Sequence, residues 1–445
     1  MSRESIISSL ESYFDRLWPI CRSLTGDGVR ESLRILREII PLQLHEVPSG
    51  KEVFDWTIPL EWTIRDAYIL CPDGRKVADF KQNNLHVLNY SVAVRGTFTF
   101  EELDKHLYTL PDQPTAIPYI TSYYSPKWGF CLSHEEYLTL PREGEYELVI
   151  DSSLEEGHMT YGDVVLEGET KEEILFSTYV CHPSMANNEL SGPLVQAFLY
   201  QQIARMPRRK YTYRFVFIPE TIGAINYLYE HGEHLKSHVK AGYVITCVGD
   251  NADFVYKRSK HRDSLADRAA EHVLKHQKES ASIMEFAIGG SDERQYCSPG
   301  FNLPVGSITR SMYLKYPEYH TSLDNKDFIS FEAMMRSIEV YRDIVTTLEL
   351  NEHYVNTQPF CEPQLGKRGL YYEVGGHPNR KKSIKLILHL LSFADGKRDL
   401  IEIADWREDL AIDYAEIIEL LQAHKLLVET HPNPKTNTQH PYSFT

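Results

Sequence analysis

Between residues 160 and 350 the chain alternates short apolar runs with segments of helical periodicity, and this pattern limits the fold more than any other feature. The apolar runs, each of strand length, are 174–180, 213–218, 242–245 and 304–308. The helical segments are 194–203, a stretch through Tyr227, 264–275 and 331–348. Continuous apolar strands that alternate with helices are typical of parallel sheets covered on both faces. We therefore predict an α/β fold with a mostly parallel, doubly wound sheet flanked by helices.

Three other regions have patterns of their own. Residues 3–41 predict two helices that are interrupted at 25–28, while residues 56–159 carry short alternating runs and turns that predict a β-rich module. Residues 384–430 predict three short helices and a small hairpin, as in a winged helix. We predict an α/β domain of residues 1–55 and 160–375, an inserted β-rich domain of residues 56–159 and a winged-helix-like domain of residues 380–445.

The β-rich segment is dense in large aromatic residues. They are Trp56, Trp62, Tyr119, Tyr123, Tyr124 and Trp128. Such residues could line a ligand groove, although packing in a hydrophobic core is their commoner role.

The charge of the chain argues against two classes of partner. Lys and Arg number 47 against 63 Asp and Glu, which gives a formal net charge of −16. An acidic surface disfavours nucleic acid and anionic membranes. Residues 384–430 carry five basic residues against ten acidic ones, a net −5, where a DNA reader should be basic. Contact with protein, including homo-oligomerisation through this domain or the β-rich one, is the expected role.

The cysteines indicate the cellular compartment. There are seven, an odd number, and no two form a C-x-x-C pair. A scattered, odd set in a long chain predicts reduced thiols in the cytoplasm. The first residues begin an amphipathic stretch rather than a signal peptide, and no apolar run approaches the roughly 20 residues of a membrane span.

Polar residues follow the predicted strands where ligands bind in open α/β sheets, beyond the carboxyl ends. His182 follows the first strand, Glu220 the second and Asp250 the third, while His320 lies beyond the last. Neutral imidazoles bind zinc, and a carboxylate can take a proton from the attacking water. Each histidine alone would be read as an ordinary loop residue, but the set on successive strand ends predicts a zinc hydrolase.

At these same positions the sequence resembles a known family. His182 with residues 186–192, the element 219–223, Ser291-Asp292 and His320-Thr321-x-x-Asp324 resemble, in order and spacing, the co-catalytic zinc aminopeptidases of the clan that includes glutamate carboxypeptidase. More closely, the whole chain resembles bacterial aminopeptidase-like proteins of polysaccharide-biosynthesis regions, in which a β module interrupts the peptidase domain and a winged helix ends the chain. The matching residues include Trp56, Pro59, Trp62, Tyr123, Tyr124 and 128–130.

The resemblance implies roles for individual residues. His182 and His320 are implied metal ligands, and Glu220 falls at the position of the general base. Several carboxylates of the clan are replaced, by Ser184, Asn188, Thr221 and Thr246. Without those negative charges a two-zinc site is disfavoured, and one zinc ion is expected.

The third ligand of that ion stays open among four residues. Glu189 is favoured on charge, and Asn188 would bind more weakly through its amide oxygen. Asp250 and Asp292 are further candidates.

Charged residues near the third strand are candidates for substrate binding. Lys257 and Arg258, in the run 256–259, could hold a carboxylate or phosphate together with Arg262, and Asp292 is a further candidate for substrate binding. The plain alternative is solvated surface charge. Cys181 could be proposed as a nucleophile, but a cysteine at a strand end is usually a core residue.

Three hypotheses follow. The first is a zinc-dependent, aminopeptidase-like hydrolase of amide or peptide-like bonds, in which Glu220 takes a proton from water and passes it to the leaving amine. The second is a catalytically degenerate binding or scaffold protein of polysaccharide biosynthesis, which the lost carboxylates favour. The third is a DNA-binding regulator, which the acidic C-terminal domain disfavours.

Overall fold

In the computed structural model, residues 2–370 and 378–430 are described, and the side chains of 378–383 are not. The chain divides into two compact units between Arg342 and Asp343. The expected tail after His431 lies outside the described residues. The predicted domain boundaries remain predictions.

The strands of the described residues are β1 Gln43–Pro48, β2 Glu52–Val53, β3 Trp56–Thr57, β4 Glu61–Leu70, β5 Lys76–Val77, β6 Val94–Thr99, β7 Leu107–Tyr108, β8 Phe130–Cys131, β9 Glu145–Glu155, β10 His158–Leu166, β11 Glu173–Tyr179, β12 Thr212–Ile218, β13 Val239–Ile245, β14 Phe254–Lys257, β15 Ala281–Met284, β16 Val305–Thr309, β17 His353–Asn356, β18 Asp395–Asp399 and β19 Leu427–Glu429. The helices are α1 Arg3–Leu17, α2 Asp27–Leu36, α3 Phe100–Asp104, α4 His134–Leu138, α5 Ser191–Ala204, α6 Ile222–His238, α7 Leu265–Lys275, α8 Glu293–Tyr296, α9 Phe331–Leu350, α10 Pro378–Phe393, α11 Leu400–Asp405 and α12 Ala415–Ala423. A π-helical turn, Ala186–Leu190, precedes α5.

The centre of the first unit is an eight-stranded sheet in the order β1-β10-β12-β11-β13-β16-β14-β15. Strands β12, β11, β13 and β16 run parallel, while β1, β10 and β14 add antiparallel pairings at the two sides. Every residue of β11, β12 and β16 is buried. This confirms the α/β prediction, because continuous apolar strands are those covered on both faces.

A β-rich segment interrupts this sheet. The adjacent antiparallel strands β1 and β10 pair Pro48 with His158, so residues 49–157 leave and return at one place. Within that segment β5, β4, β9 and β6 form an antiparallel four-stranded sheet. The insertion leaves the sheet continuous, because the two strands that it separates in the sequence still pair with each other.

The second unit is built around three helices and a three-stranded antiparallel sheet in the order β18-β17-β19. Apolar residues of α10, α11 and α12 form its core, among them Leu390, Ile403 and Leu421. Its strand β17 comes from residues 353–356, upstream of the hairpin that the sequence predicts. No helix in the described part of either unit is long and apolar enough to cross a membrane.

Candidate active site

The carboxyl ends of β11 and β12 bring His182 and Glu220 together. Strands β11 and β12 are parallel neighbours, so the loops that follow them lie side by side. His182 Nε2 is 3.6 Å from Glu220 Oε2, and both side chains are largely buried. A histidine and a carboxylate predicted at successive strand ends are therefore in contact.

The other ring nitrogen of His182 is held by Glu189. Nδ1 lies 3.0 Å from Glu189 Oε2, and a carboxylate can only accept, so Nδ1 carries the proton. The backbone N–H of Cys181 donates to Glu189 Oε1 at 2.6 Å. The guanidinium of Arg22 lies 3.5 Å from the same oxygen, and its Nε donates to the carbonyl of His182. A fully buried ion pair thus fixes the orientation of the His182 ring.

This arrangement bears on the prediction that Glu189 is the third metal ligand. Cys181, His182 and Glu189 have possible ligand atoms within 4.8 Å of one another. However, both carboxylate oxygens of Glu189 already accept hydrogen bonds, and the buried guanidinium of Arg22 would repel a cation there. The geometry assigns Glu189 to orienting His182, a common role for a carboxylate behind a ligating histidine.

Cys181 has no features of a nucleophile. Its side chain is buried, and burial together with the charges of Glu189 and Glu220 raises the pKa of the thiol well above its ordinary value. The sulfur accepts a hydrogen bond from the backbone N–H of Glu220. It serves to join two strand ends, as the core interpretation of this residue expects.

His320 approaches from the loop after β16. Its ring centre is 5.4 Å from that of His182. Burial lowers the pKa of His320 to about 3, with the charge of His182 acting in the same direction, so the ring is neutral. Its Nε2 is buried and has no hydrogen-bond partner in the described part of the chain.

Asn188 presents a second polar atom without a partner. Its Nδ2 donates to the hydroxyl of Tyr179 at 2.9 Å, while its buried Oδ1 accepts no hydrogen bond from the described residues. The backbone N–H groups of Asn187 and Asn188 donate to the carboxylate of Asp324. The π-helical turn is therefore anchored by its main chain, which leaves the amide oxygen of Asn188 unused.

The positions at which the clan's carboxylates are replaced hold neutral hydrogen bonds. Thr246 Oγ1 lies 2.5 Å from the Tyr179 hydroxyl and donates to the carbonyl of Asn188. Asp250 accepts from Asn187 Nδ2 and from two backbone N–H groups, which commits it to shaping loops. Asn188 and Thr246 therefore supply no negative charge where the clan has carboxylates.

Asp292 lies beside Glu220 and influences it. Its Oδ1 accepts from the backbone N–H of Thr221 at 2.7 Å, and its Oδ2 is buried without a partner in the described chain. Burial and the charge of Glu220 raise the pKa of Asp292 well above its usual range. Burial also raises the pKa of Glu220, although the charges of His182 and Arg294 oppose this. A carboxylate with a raised pKa is suited to general base catalysis near neutral pH.

The backbone is strained at several of these loops. Four non-glycine residues have positive φ, namely Ser184 at 44°, Cys247 at 51°, His320 at 55° and Thr221 at 65°. A β-branched residue such as Thr221 is a clear outlier in this region. Strain of this kind persists where the surrounding structure enforces it, and it is frequent at active sites.

A cavity of about 600 Å³ opens beside the two histidines and Glu220. The β-rich segment forms much of its wall, through Trp56, residues 119–121, Tyr123 and Tyr124. Tyr119 packs against both His182 and His320, with ring centres 5.1 and 5.2 Å away, and its N–H donates to the carbonyl of His320. The inserted segment is thus part of the site.

The aromatic residues of that segment divide between two roles. Trp62 is buried in the core and donates to the carbonyl of Ser91. In contrast, Trp56, Tyr119, Tyr123 and Tyr124 line the cavity, so the core interpretation holds for only part of the set.

None of the three predicted substrate-binding residues, Lys257, Arg258 and Asp292, is among the residues that line this cavity. Lys257 is buried and its Nζ forms an ion pair with Glu293 at 2.5 Å. Arg258 pairs with Glu271 and Glu285 nearer the surface. Their charges are occupied within the chain, so the geometry does not support a role in substrate binding.

The sequence analysis missed Arg22 and Arg294, and it gave lining a ligand groove as the less common of two roles for Tyr119. No local pattern marks Arg22, because its partner Glu189 is distant in the sequence. Arg294 follows the Ser291-Asp292 element by two residues, and that proximity is a signal that could have revealed it.

Comparison with known proteins agrees with this architecture. Residues 12–351 match the family described as a domain of unknown function, DUF4910, and residues 352–429 match a winged helix-turn-helix family. A Clostridium acetobutylicum protein named "Putative polysaccharide biosynthesis protein with aminopeptidase-like domain" is 47% identical over 390 residues, 88% of this chain and 89% of that protein.

Two solved structures are similar in fold to this chain. A crystal structure titled as a "putative peptidase" from Clostridium acetobutylicum has a TM-score of 0.90 at 43% identity, covering 96% of this chain and 97% of its own. A zinc aminopeptidase from Bacillus subtilis has a TM-score of 0.56 at 12% identity, covering 78% of this chain and 95% of its own, a likeness of fold alone. The chain therefore belongs to the DUF4910 family and combines a zinc-aminopeptidase-like α/β fold with a C-terminal winged-helix domain.

Proposed function

We propose that the protein is a hydrolase of amide or peptide-like bonds that uses one zinc ion. The observation that carries the proposal is the placement of Glu220 beside His182 at 3.6 Å, in a cavity that is also lined by His320, whose Nε2 has no partner among the described residues. The aminopeptidase-like fold supports the same class of reaction, but the fold alone does not specify it.

The residues present fit a single ion. Two imidazoles that share a tetrahedral zinc, at 2.0–2.1 Å per nitrogen, have ring centres roughly 5 Å apart, and the rings of His182 and His320 are 5.4 Å apart. The buried Oδ1 of Asn188 has no other partner among the described residues and would be the oxygen ligand. The chain's own contacts thus favour His182, His320 and Asn188 over Glu189, which the sequence favours on charge.

When bound, zinc polarises a substrate carbonyl and lowers the pKa of a water molecule. Glu220 accepts a proton from the attacking water and delivers it to the leaving amine, which is the exchange that its raised pKa favours. Glu189 keeps the proton of His182 on Nδ1, so that Nε2 is free to act as a ligand. Tyr119 packs on both rings and limits the access of bulk water.

A second ion is disfavoured by the chemistry of the surrounding side chains. Thr221 uses its hydroxyl to accept from Arg294, and Thr246 is bonded to Tyr179. Two zinc ions need carboxylates to balance their charge, and neutral hydroxyls do not supply it.

A catalytically degenerate binding protein is the second candidate. It is favoured by the neutral hydrogen-bond network of Tyr179, Asn188 and Thr246, which fills the region where the clan has acidic ligands. Its substrate cavity and winged-helix domain would then serve recognition only. From the name of its relative we propose polysaccharide biosynthesis as the setting for either candidate. The odd, scattered cysteines support a cytoplasmic location.

Glu220→Gln separates the two candidates. Its matched control is Glu285→Gln, an exposed glutamate outside the cavity. Zinc content by mass spectrometry and hydrolysis of a panel of peptides and N-acetylated amino sugars are measured for both variants. We expect zinc to be retained and turnover to fall by about 10²–10⁴-fold in Glu220→Gln alone. Bound zinc with turnover unchanged in Glu220→Gln would contradict the assigned mechanism.

A further inference from the structure

Arg294 stands out among the charged residues of the cavity. It belongs to the short helix α8 and lines the cavity with His182, Glu220 and His320. Its Nη2 donates to Thr221 Oγ1 at 2.9 Å, and its Nε is buried without a partner. Within the described chain it forms no ion pair, so most of its N–H groups are unused.

Two buried arginines of this protein are paired with carboxylates, whereas the buried Arg310 has no ion pair among the described residues and donates to Ser337 and to two backbone carbonyls. Arg214 makes a bidentate contact with Glu173, and Arg22 lies against Glu189. Burying a guanidinium without a partner is costly, because it loses its hydration. Arg294 is half-buried at the wall of the cavity and, unlike these three arginines, its guanidinium contacts only the hydroxyl of Thr221, so it is a candidate to receive an anion from outside.

The surroundings of Arg294 keep it in this position. Thr221 is held from two sides, since its N–H donates to Asp292 and its hydroxyl accepts from Arg294. Neither Asp292 nor Glu220 forms an ion pair with Arg294 among the described residues, although the charge of Arg294 lowers the pKa of both carboxyl groups against the effect of burial. The guanidinium is thus fixed next to the proposed reaction centre with unpaired donors.

We infer that Arg294 binds an anionic group of the substrate, a carboxylate or a phosphate. This inference rests on the proposed function and deepens it, because it names the substrate class as an amide-bearing molecule with an acidic substituent near the scissile bond. The planar fork of a guanidinium matches either anion through paired N–H donors. The cavity, about 600 Å³ with aromatic walls, has room for a small molecule beyond that group.

The experiment compares two anionic probes with a neutral one that is matched to the carboxylate probe. Inorganic phosphate, N-acetylglycine and the neutral N-acetylglycinamide are titrated by calorimetry into the full chain, into Arg294→Gln and Arg294→Lys, and into the control Arg142→Gln. Arg142 is a surface arginine that packs over Phe100 and Tyr137, away from the cavity. Protection of Arg294 from phenylglyoxal by each probe, read by peptide mass spectrometry, gives a measurement on the unmodified sequence.

We expect at least one anion to bind wild type about tenfold more tightly than N-acetylglycinamide. This preference should vanish in Arg294→Gln, persist in part in Arg294→Lys and be unchanged in Arg142→Gln. A preference for phosphate alone indicates a phosphorylated substrate, and one for N-acetylglycine alone indicates a carboxylate. Equal binding of all probes to wild type, or a preference that survives in Arg294→Gln, would overturn the inference. If Arg294→Gln does not fold, the absence of phenylglyoxal protection by both anions would overturn it as well.

The two proposals can fail separately. Hydrolysis that depends on Glu220, with anion preference independent of Arg294, would overturn this inference and leave the proposed function. Anion binding that depends on Arg294, without hydrolysis of any amide tested, would overturn the proposed function and support a binding site for anions.

Discussion

The two histidines of the site are held in opposite ways. His182 is bonded through Nδ1 to a buried glutamate that itself pairs with Arg22, so its ring is fixed by a satisfied polar network. His320 is neutral, and its Nε2 has no partner among the described residues. The difference teaches that folding alone satisfies the polar atoms of one half of the site, while the other half keeps a buried ring nitrogen without a partner among the described residues.

The largest effect on stability is expected from breaking the network behind His182. Glu189→Ala leaves the buried guanidinium of Arg22 without its ion pair, and loss of one partner of a buried pair costs about 3–5 kcal/mol in the free energy of unfolding. Urea unfolding of the metal-free protein measures it, with the surface variant Glu285→Ala as control. A loss below about 1 kcal/mol would show that the network is not structural.

Removing each histidine tests the contrast directly. In metal-free protein, His182→Ala leaves Glu189 short of a hydrogen bond and should lower the free energy of unfolding by about 1–3 kcal/mol. His320→Ala removes a ring whose Nε2 bonds to no described residue, so the loss should be clearly smaller. If the two variants lose the same free energy of unfolding in this experiment, the distinction between the two halves of the site would be wrong.

The smallest effect is expected in the way the stability of the metal-free protein changes with pH. The pKa of His320 is lowered to about 3 by burial, so the folded state stays neutral where the unfolded chain takes up a proton. His320 therefore contributes stability above pH 6.5 that is lost as pH falls from about 6.5 towards 3. His182 behaves oppositely, because Glu189 and Glu220 raise its pKa against the effect of burial. The contribution of His182 to stability is fully present below pH 6.5 and is lost as the pH rises through the pKa that this histidine has in the folded protein.

Comparing urea unfolding of wild type, His320→Gln and His182→Gln at pH 7.5 and 5.0 measures the direction in which each histidine changes the free energy of unfolding with pH. His320→Gln should lose less stability than wild type on acidification, and His182→Gln should lose more. The same pH response in both variants would contradict the assigned environments.

Much of the fold follows from local pattern. Residues 174–180 and 213–218 form strands because both faces are buried, and Ser264 begins a helix at a capping box with Asp267. His182 and Glu220 could be placed together because parallel strands end at one edge of the sheet. The sheet of the winged-helix domain was harder to predict, because its strand β17 comes from a distant part of the sequence.

What sequence reasoning could not supply is the pairing of side chains far apart in the chain. Lys257 looks like a free cation until Glu293 is seen beside it, and Glu189 looks like a ligand until Arg22 is seen behind it. The inserted segment contributes to the site through Tyr119, which contacts His320 although the two residues are about two hundred positions apart in the sequence. Such contacts are set by tertiary packing and leave no periodic signal.

Diffraction from crystals of the zinc-loaded protein, recorded on both sides of the zinc absorption edge, tests the central claim most directly. One anomalous peak is predicted, bound by His182, His320 and Asn188, with Glu189 remaining on the far side of the His182 ring. The peak should be absent from crystals of His320→Ala. Two peaks, a peak bound by Glu189, or no peak from zinc-loaded protein would contradict the account.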